Sequence, residues 1–183
     1  MDLSSKKISS LWKNWILPIG IAFLLSTIVS KLFFYIIYVP TGSMYPTIVS
    51  GDRILTSVVH NKDKLKREDI VVFDSKEIGK PLVKRLIGLP GDVIQIEKDG
   101  TLYINNKLYR EPYVKNQIDP LQNYEGMNLG IFTVPKDKYF FLGDNRISSE
   151  DSRYWQNPYI SKDDIKGKAK IVLYPFKRFG RLH

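Results

Sequence analysis

From Ile16 to Ser30 the chain reads ILPIGIAFLLSTIVS, fifteen positions without a charge, and no later segment resembles it. A helix from about Ser10 to Ser30 would be roughly 30 Å long at 1.5 Å per residue, about the thickness of a hydrocarbon core. Pro18 falls near the helix start, where its missing N–H is tolerated. Lys31 closes the run and can snorkel to the far interface. Lys6, Lys7 and Lys13, with Trp12 and Trp15, precede it. Basic residues before a span favour a cytoplasmic N-terminus. The expected organisation is a basic cytoplasmic segment 1–15, a transmembrane anchor 16–31, and an extracytoplasmic domain 32–183. The rival reading is a cleavable secretory signal, which needs paired small residues soon after the apolar core. The best pair, Thr41 and Ser43, comes too late, so a retained anchor is expected.

Beyond the anchor the chain is patterned for strands. Leu32–Val39 is aromatic and β-branched, and short apolar runs recur at Arg53–Val59, Ile70–Phe73, Leu82–Leu89 and Val93–Glu97. Thr101–Asn105, Lys107–Arg110, Ile131–Val134, Tyr139–Leu142 and Ala169–Tyr174 continue the series, with Gly, Pro, Asn and Asp in nearly every gap. Lys98-Asp99-Gly100 and Asn105-Asn106 have hairpin-turn chemistry. Helical periodicity is weak after residue 40, apart from a turn at Ser161–Ile165. Ten short antiparallel strands in about 140 residues suggest an all-β, barrel-like domain. Residues 93–138 form a smaller hairpin and loop insertion, and 111–130 reads as a long loop.

Composition narrows the chemistry. The 183 residues include no cysteine, which removes disulfides, thiolate nucleophiles and Cys-ligated metals, and only two histidines, His60 and His183. No metal or other cofactor is expected. The net charge of +9 is spread along the chain without a helix-turn-helix, finger or RNP-like pattern. A basic surface near anionic lipid is the reading preferred to nucleic-acid binding.

Three segments concentrate reactive groups. Ser43 sits in Pro40-Thr41-Gly42-Ser43-Met44-Tyr45-Pro46, directly after an apolar run. It is either a turn serine or a nucleophile held on a rigid elbow beside free backbone N–H groups. His60 lies in a polar loop and His183 at the last position, so a Ser-His-Asp triad is not supported. Lys84 lies in Leu82–Leu89 with apolar neighbours on both faces. An unperturbed lysine with pKa about 10.4 is neutral about once in 2,500 molecules at pH 7, a handicap of roughly 4.6 kcal/mol for a general base. Burial removes that handicap by disfavouring the ammonium; otherwise Lys84 simply points to solvent. The third segment, Gly143–Trp155, packs donors and acceptors densely. Asp151 pairs naturally with Arg153, Asp144 with Arg85 or Arg146, and a hydroxyl there could fix the lysine amine.

Taken in order, Ser-Met-Tyr-Pro-Thr at 43–47, Gly51-Asp52-Arg53, Lys-Arg-Leu-Ile-Gly-Leu-Pro-Gly-Asp at 84–92 and Gly-Asp-Asn-Arg-x-x-Ser-x-Asp-Ser-Arg at 143–153 resemble bacterial type I signal peptidase. The resemblance covers essentially the whole chain. It implies a serine endopeptidase that removes signal peptides from secreted preproteins, with Ser43 as nucleophile and Lys84 as general base. It also implies that Ser149 hydrogen-bonds the lysine amine and that the Thr41 hydroxyl completes an oxyanion hole with the Ser43 N–H. Asp151, Arg153, Asp144 and Arg85 fall at supporting positions. Gln156-Asn157-Pro158 departs from the family, which commonly has Gly after Tyr-Trp.

The implied cleavage follows small residues at −1 and −3. Ile37, Val39 and Val83 adjoin the reactive positions and are expected to line shallow apolar pockets for an extended substrate. Its expected partners are signal peptides and membrane lipid. Two further readings remain: a self-cleaving Ser/Lys peptidase of related fold, and a membrane-tethered binding module without catalysis.

Overall fold

The computed structural model describes residues 12–115 and 125–183. Residues 1–11 of the expected basic N-terminus, and 116–124 of the expected 111–130 loop, lie outside the described residues. The chain divides into two compact units, Met1–Tyr35 and Ile36–His183.

In the first unit a π-helical turn, Trp12–Ile16, runs into helix α1, Leu17–Phe33. The helix therefore takes the first two residues of the run expected as a strand from Leu32. Large apolar side chains including Ile19, Phe23, Leu24, Leu25 and Val29 are exposed. Thr27 Oγ1 donates to the Phe23 carbonyl (2.8 Å), which satisfies its hydroxyl within the helix itself. Among the described residues no helix is long and apolar enough to cross a membrane.

Short antiparallel strands dominate the second unit. One sheet has the order β1 (Phe34–Tyr38), β2 (Arg53–Val58), β11 (Ile165–Tyr174), β3 (Ile70–Ser75), β4 (Lys80–Gly88), β9 (Lys138–Leu142), β10 (Tyr159–Ser161), with β12 (Gly180–Arg181) also paired to β11. The second sheet orders β7 (Lys107–Tyr109), β6 (Leu102–Ile104), β5 (Val93–Ile96) and β8 (Gly130–Thr133). Among the described residues the larger sheet's order is linear, with β1 and β10 at its ends. The turn expected at Ser161–Ile165 is a 3₁₀ turn, Lys162–Asp164, whose N–H at Asp163 is capped by the Ser161 hydroxyl.

Strand β9 serves two interiors, one on each of its faces. Side chains alternate faces along a strand, so Tyr139 and Phe141 enter one cluster with Val71, Phe73, Leu86 and Trp155. Phe140 and Leu142 enter another with Ile87, Ile94, Ile104 and Val134 from the smaller sheet's side. Both faces being buried, the strand reads as a continuous apolar run rather than an alternation. Phe73 stacks on Phe141 at 4.4 Å between ring centres. A third cluster of Val39, Met44, Ile48, Ile54, Ile70 and Ala169 anchors the segment that carries Ser43.

Candidate active site

The Ser43 loop is closed at its neck. The Val39 N–H donates to the Asp52 carbonyl (3.0 Å), and the Gly51 N–H donates to the Val39 carbonyl (2.8 Å). Gly51 has φ +95°, a left-handed turn conformation that only glycine takes without strain. Asp52 is buried; its carboxylate accepts the Val49 N–H (2.9 Å) and the Arg178 guanidinium (3.1 Å). Inside this frame Tyr45 N donates to Gly42 O (3.0 Å) and Ile48 N to Met44 O (2.9 Å). Met44 and Ile48 point into the core, so Ser43 is left half-buried on a short, pinned turn.

Lys84 comes from β4, opposite Val71 of β3. It is 3% exposed. Burial pushes its amine down from the ordinary 10.5 to about 8. The Asp151 carboxylate opposes that shift, the Arg153 charge adds to it, and Glu150 and Asp144 again oppose it. Each lies in or beside the turn after β9, so this turn sits over the lysine.

That turn is held by its own ion pairs. Asp151 accepts Arg153 Nε (2.8 Å) and Nη2 (2.9 Å), both residues fully buried, and also the Gly143 N–H (2.9 Å). Burial alone would raise the Asp151 carboxyl; the Arg153 charge and hydrogen bonds, with Lys84 and Gly143, hold it below its usual range. Arg85, next to Lys84, makes a two-pronged bond to Asp144 through Nε (2.8 Å) and Nη2 (2.6 Å). Of the two partners the sequence allows, Asp144 takes Arg85, while Arg146 pairs with Glu111 at 2.6 Å on both prongs. Register decides it, since Arg85 pairs with Leu142 across β4 and β9 and Asp144 comes two residues later.

Ser43 and the turn are joined directly. The Asn145 N–H donates to the Ser43 carbonyl (3.1 Å), and the Asn145 side-chain amide donates to the Gly42 carbonyl (3.1 Å). Ser149 is buried, and its hydroxyl has no hydrogen-bond partner among the described residues. A buried orphan hydroxyl is costly unless something uses it; the hydrogen bond expected from it to the Lys84 amine is not formed among the described residues.

A cavity of about 340 Å³ opens beside Ser43 and Lys84, and no residue of the 143–153 turn lines it. Thr41, Ser43 and Lys84 line it together with Ile37, Val39 and Val83. All three residues expected as pocket walls thus share one cavity with Ser43 and Lys84. His60 and His183 are exposed, and neither lines the cavity. Among the described residues no group of His, Cys, Asp or Glu is placed to hold a metal.

Residues 12–174 match the family described as signal peptidase, peptidase S26. The chain belongs to that family. Signal peptidase I T of Bacillus subtilis strain 168 is 39% identical over 179 residues, covering 96% of this chain and 92% of that one. Signal peptidase IB of Staphylococcus aureus strain COL is 34% identical over 178 residues, covering 91% of each. A crystal structure of a signal peptidase I from Enterococcus faecalis V583 has 34% sequence identity and a TM-score of 0.46, covering 57% of this chain and 96% of that one. As a signal peptidase family member the chain is a serine endopeptidase, a hydrolase.

Several residues of this signal peptidase site escape a reading of the sequence. Met44, Val72, Pro81 and Leu82 also line the cavity. Gly143 stands between Ser149 and the Ser43 carbonyl, and only the Gly-Asp pair opening the turn hinted at it. Glu111, in a segment expected as loop, is the partner of buried Arg146. No signal of spacing connects two residues so far apart in the chain.

Proposed function

We propose that this protein cleaves signal peptides from secreted preproteins by a Ser43/Lys84 mechanism. The observation that carries the reading is the shared cavity: a half-buried serine and a buried lysine whose amine is brought to about 8 line one apolar hollow. Neutral Lys84 takes the Ser43 proton as the hydroxyl oxygen attacks the scissile carbonyl. The Ser43 N–H and the Thr41 hydroxyl stabilise the oxyanion. Protonated Lys84 then gives its proton to the leaving amine, and after deprotonating a water molecule it drives hydrolysis of the acyl-enzyme. Ser149 orients the amine. Asp151 with Arg153, and Asp144 with Arg85, keep the turn and β4 in place without touching substrate. Ile37, Val39 and Val83 receive small side chains of an extended preprotein segment.

The proposed organisation keeps residues 1–15 cytoplasmic, 16–31 as a single membrane anchor, and 32–183 as the extracytoplasmic catalytic domain, with 93–138 as an insertion. The exposed Ile19, Phe23, Leu24, Leu25 and Val29 of α1 support the anchor, because so much exposed apolar surface needs lipid or protein around it. The smaller sheet, β5 to β8, supports the insertion. Proteolysis of sealed vesicles carrying the protein checks the topology: protection of 32–183 in right-side-out vesicles contradicts it.

The deciding experiment incubates detergent-solubilised full-length protein with a secretory precursor. Wild type should release the mature protein, and Ser43→Ala and Lys84→Arg should not, since Arg keeps its proton and cannot act as a base. Cleavage by Ser43→Ala at the wild-type rate excludes the mechanism.

A further inference from the structure

Between the last residue of β7 and the turn at 111–114, alternate side chains reach back to the larger sheet. The Tyr109 hydroxyl donates to Glu68 Oε1 (2.6 Å). Glu111 takes both prongs of Arg146 (2.6 Å each) and also accepts the Tyr113 hydroxyl (2.7 Å). The Tyr113 ring lies over the Arg85 guanidinium, 3.8 Å from Cζ to ring centre. Pro112 between them has its backbone fixed by its ring.

Both arginines lead to the reactive groups. Arg85 follows Lys84 on β4 and holds Asp144, while its Nη1 donates to the Glu68 carbonyl (2.9 Å). Arg146 Nε donates to the Gly143 carbonyl (3.0 Å), and the Arg146 carbonyl accepts Arg153 Nη2 (2.9 Å). Arg153 in turn pairs with Asp151, whose charge acts on Lys84. The Arg146–Glu111 pair is buried on both sides, 6% and 8% exposed. A buried charge that loses its partner is strongly destabilising where it stands. Residues 111 and 113 therefore brace Arg146 in the turn 143–153 and Arg85 on β4 from a segment no catalytic motif includes.

We propose that Tyr109–Tyr113 is a strap, with Glu111 and Tyr113 as positioning residues that act through Arg146 and Arg85 on Ser149 and Lys84. The proposal rests on the Ser43/Lys84 reading for its effect on cleavage, but its geometry does not. The strap holds the turn 143–153 down against the amine. Releasing it lets the turn lift from Lys84, and a better-hydrated amine binds its proton more tightly.

The test uses full-length protein in detergent with Glu111→Gln, Tyr113→Leu and Tyr113→Phe. Tyr113→Phe keeps the ring over Arg85 and loses only the hydroxyl. Two readouts are taken: kcat and KM on a precursor, and the Lys84 titration followed by the side-chain NMR signals of isotope-labelled lysine, assigned with Lys84→Met. Glu111→Gln and Tyr113→Leu should lower kcat at least tenfold with KM within about twofold, and should raise the Lys84 pKa from about 8 toward about 10.4. Tyr113→Phe should restore most of both. Folded Glu111→Gln and Tyr113→Leu proteins with an unmoved Lys84 titration overturn the proposal, as does equal damage by Tyr113→Phe. The titration decides even if the precursor proves uncleaved, so failure of the strap and failure of the functional reading are separable.

Discussion

Gly143 lies so close to Ser149 that a β-carbon on the glycine would stand 2.1 Å from the serine hydroxyl and 2.5 Å from its β-carbon. The same atom would be 2.5 Å from the Ser43 carbonyl. Two reactive segments, separated by about a hundred residues, approach each other across a residue with no side chain.

Gly143→Ala should therefore push the 143–153 turn off the Ser43 loop. Backbone on one side and a buried side chain on the other leave no cheap relaxation. The expected result is a loss of at least about 100-fold in kcat from misplacement by roughly 1 Å. Assay of the folded variant on a precursor checks this, and activity within threefold of wild type would mean the turn can shift without harm.

The sequence exposed local chemistry and concealed its partners. Ser43 and Lys84 stand in short motifs whose turn glycine and apolar flanks are visible in a few residues. Who pairs with Arg146 depends on a fold that brings Glu111 to it, and no local pattern encodes that. Strand β11 was legible only from Ala169, although it begins at Ile165. Lys166 and Lys168 alternate there with buried Ile165, Gly167 and Ala169, so half of the strand looks like a charged loop. Strands β10 and β12, three and two residues long, are too short to show a period at all.

Lys84 makes activity and stability respond to pH in linked ways. On the proposed Ser43/Lys84 mechanism the free amine is the base, so kcat/KM should fall about tenfold for each unit below about 8 and level off above it. The native state holds the amine at about 8 against 10.5 unfolded, so between these values the native form binds fewer protons. Stability therefore rises with pH across that window. Below it the buried ammonium carries its full penalty, on the order of 3 kcal/mol. Lys84→Met, inactive, should be the more stable protein at pH 7, with the difference vanishing above about pH 10.5. Urea denaturation at pH 7 and pH 10.5 reads it; a Lys84→Met protein less stable than wild type at pH 7 contradicts the depressed amine.

Two salt bridges of similar length should differ sharply in worth. Arg85–Asp144 is 1% and 0% exposed, whereas Lys166–Asp74 at 2.8 Å is 52% and 47% exposed. Asp144→Asn leaves a buried guanidinium without its counter-charge and should cost about 3–5 kcal/mol. Asp74→Asn, in a solvent-screened pair, should leave the denaturation midpoint nearly unchanged. Denaturation midpoints decide, and a small effect at Asp144 would show that the Glu68 and His183 carbonyls, the Thr47 hydroxyl and the Tyr113 ring suffice to hold Arg85.

Thr41 offers the cleanest test of the oxyanion assignment. It is exposed yet lines the cavity two residues before Ser43, so removing its hydroxyl disturbs no core contact. Thr41→Val keeps the branched shape and deletes only the donor. A donor aimed at charge that exists only in the transition state acts on kcat, not on ground-state binding. Losing it should cost roughly 10²–10³ in kcat, about 2.7–4 kcal/mol, with KM little changed. Thr41→Ser restores the hydroxyl without the methyl group and should recover activity to within a few-fold. A fully active Thr41→Val enzyme would assign the second donor to another group, while equal losses in Thr41→Val and Thr41→Ser would make the methyl packing, not the hydroxyl, the contribution of this residue.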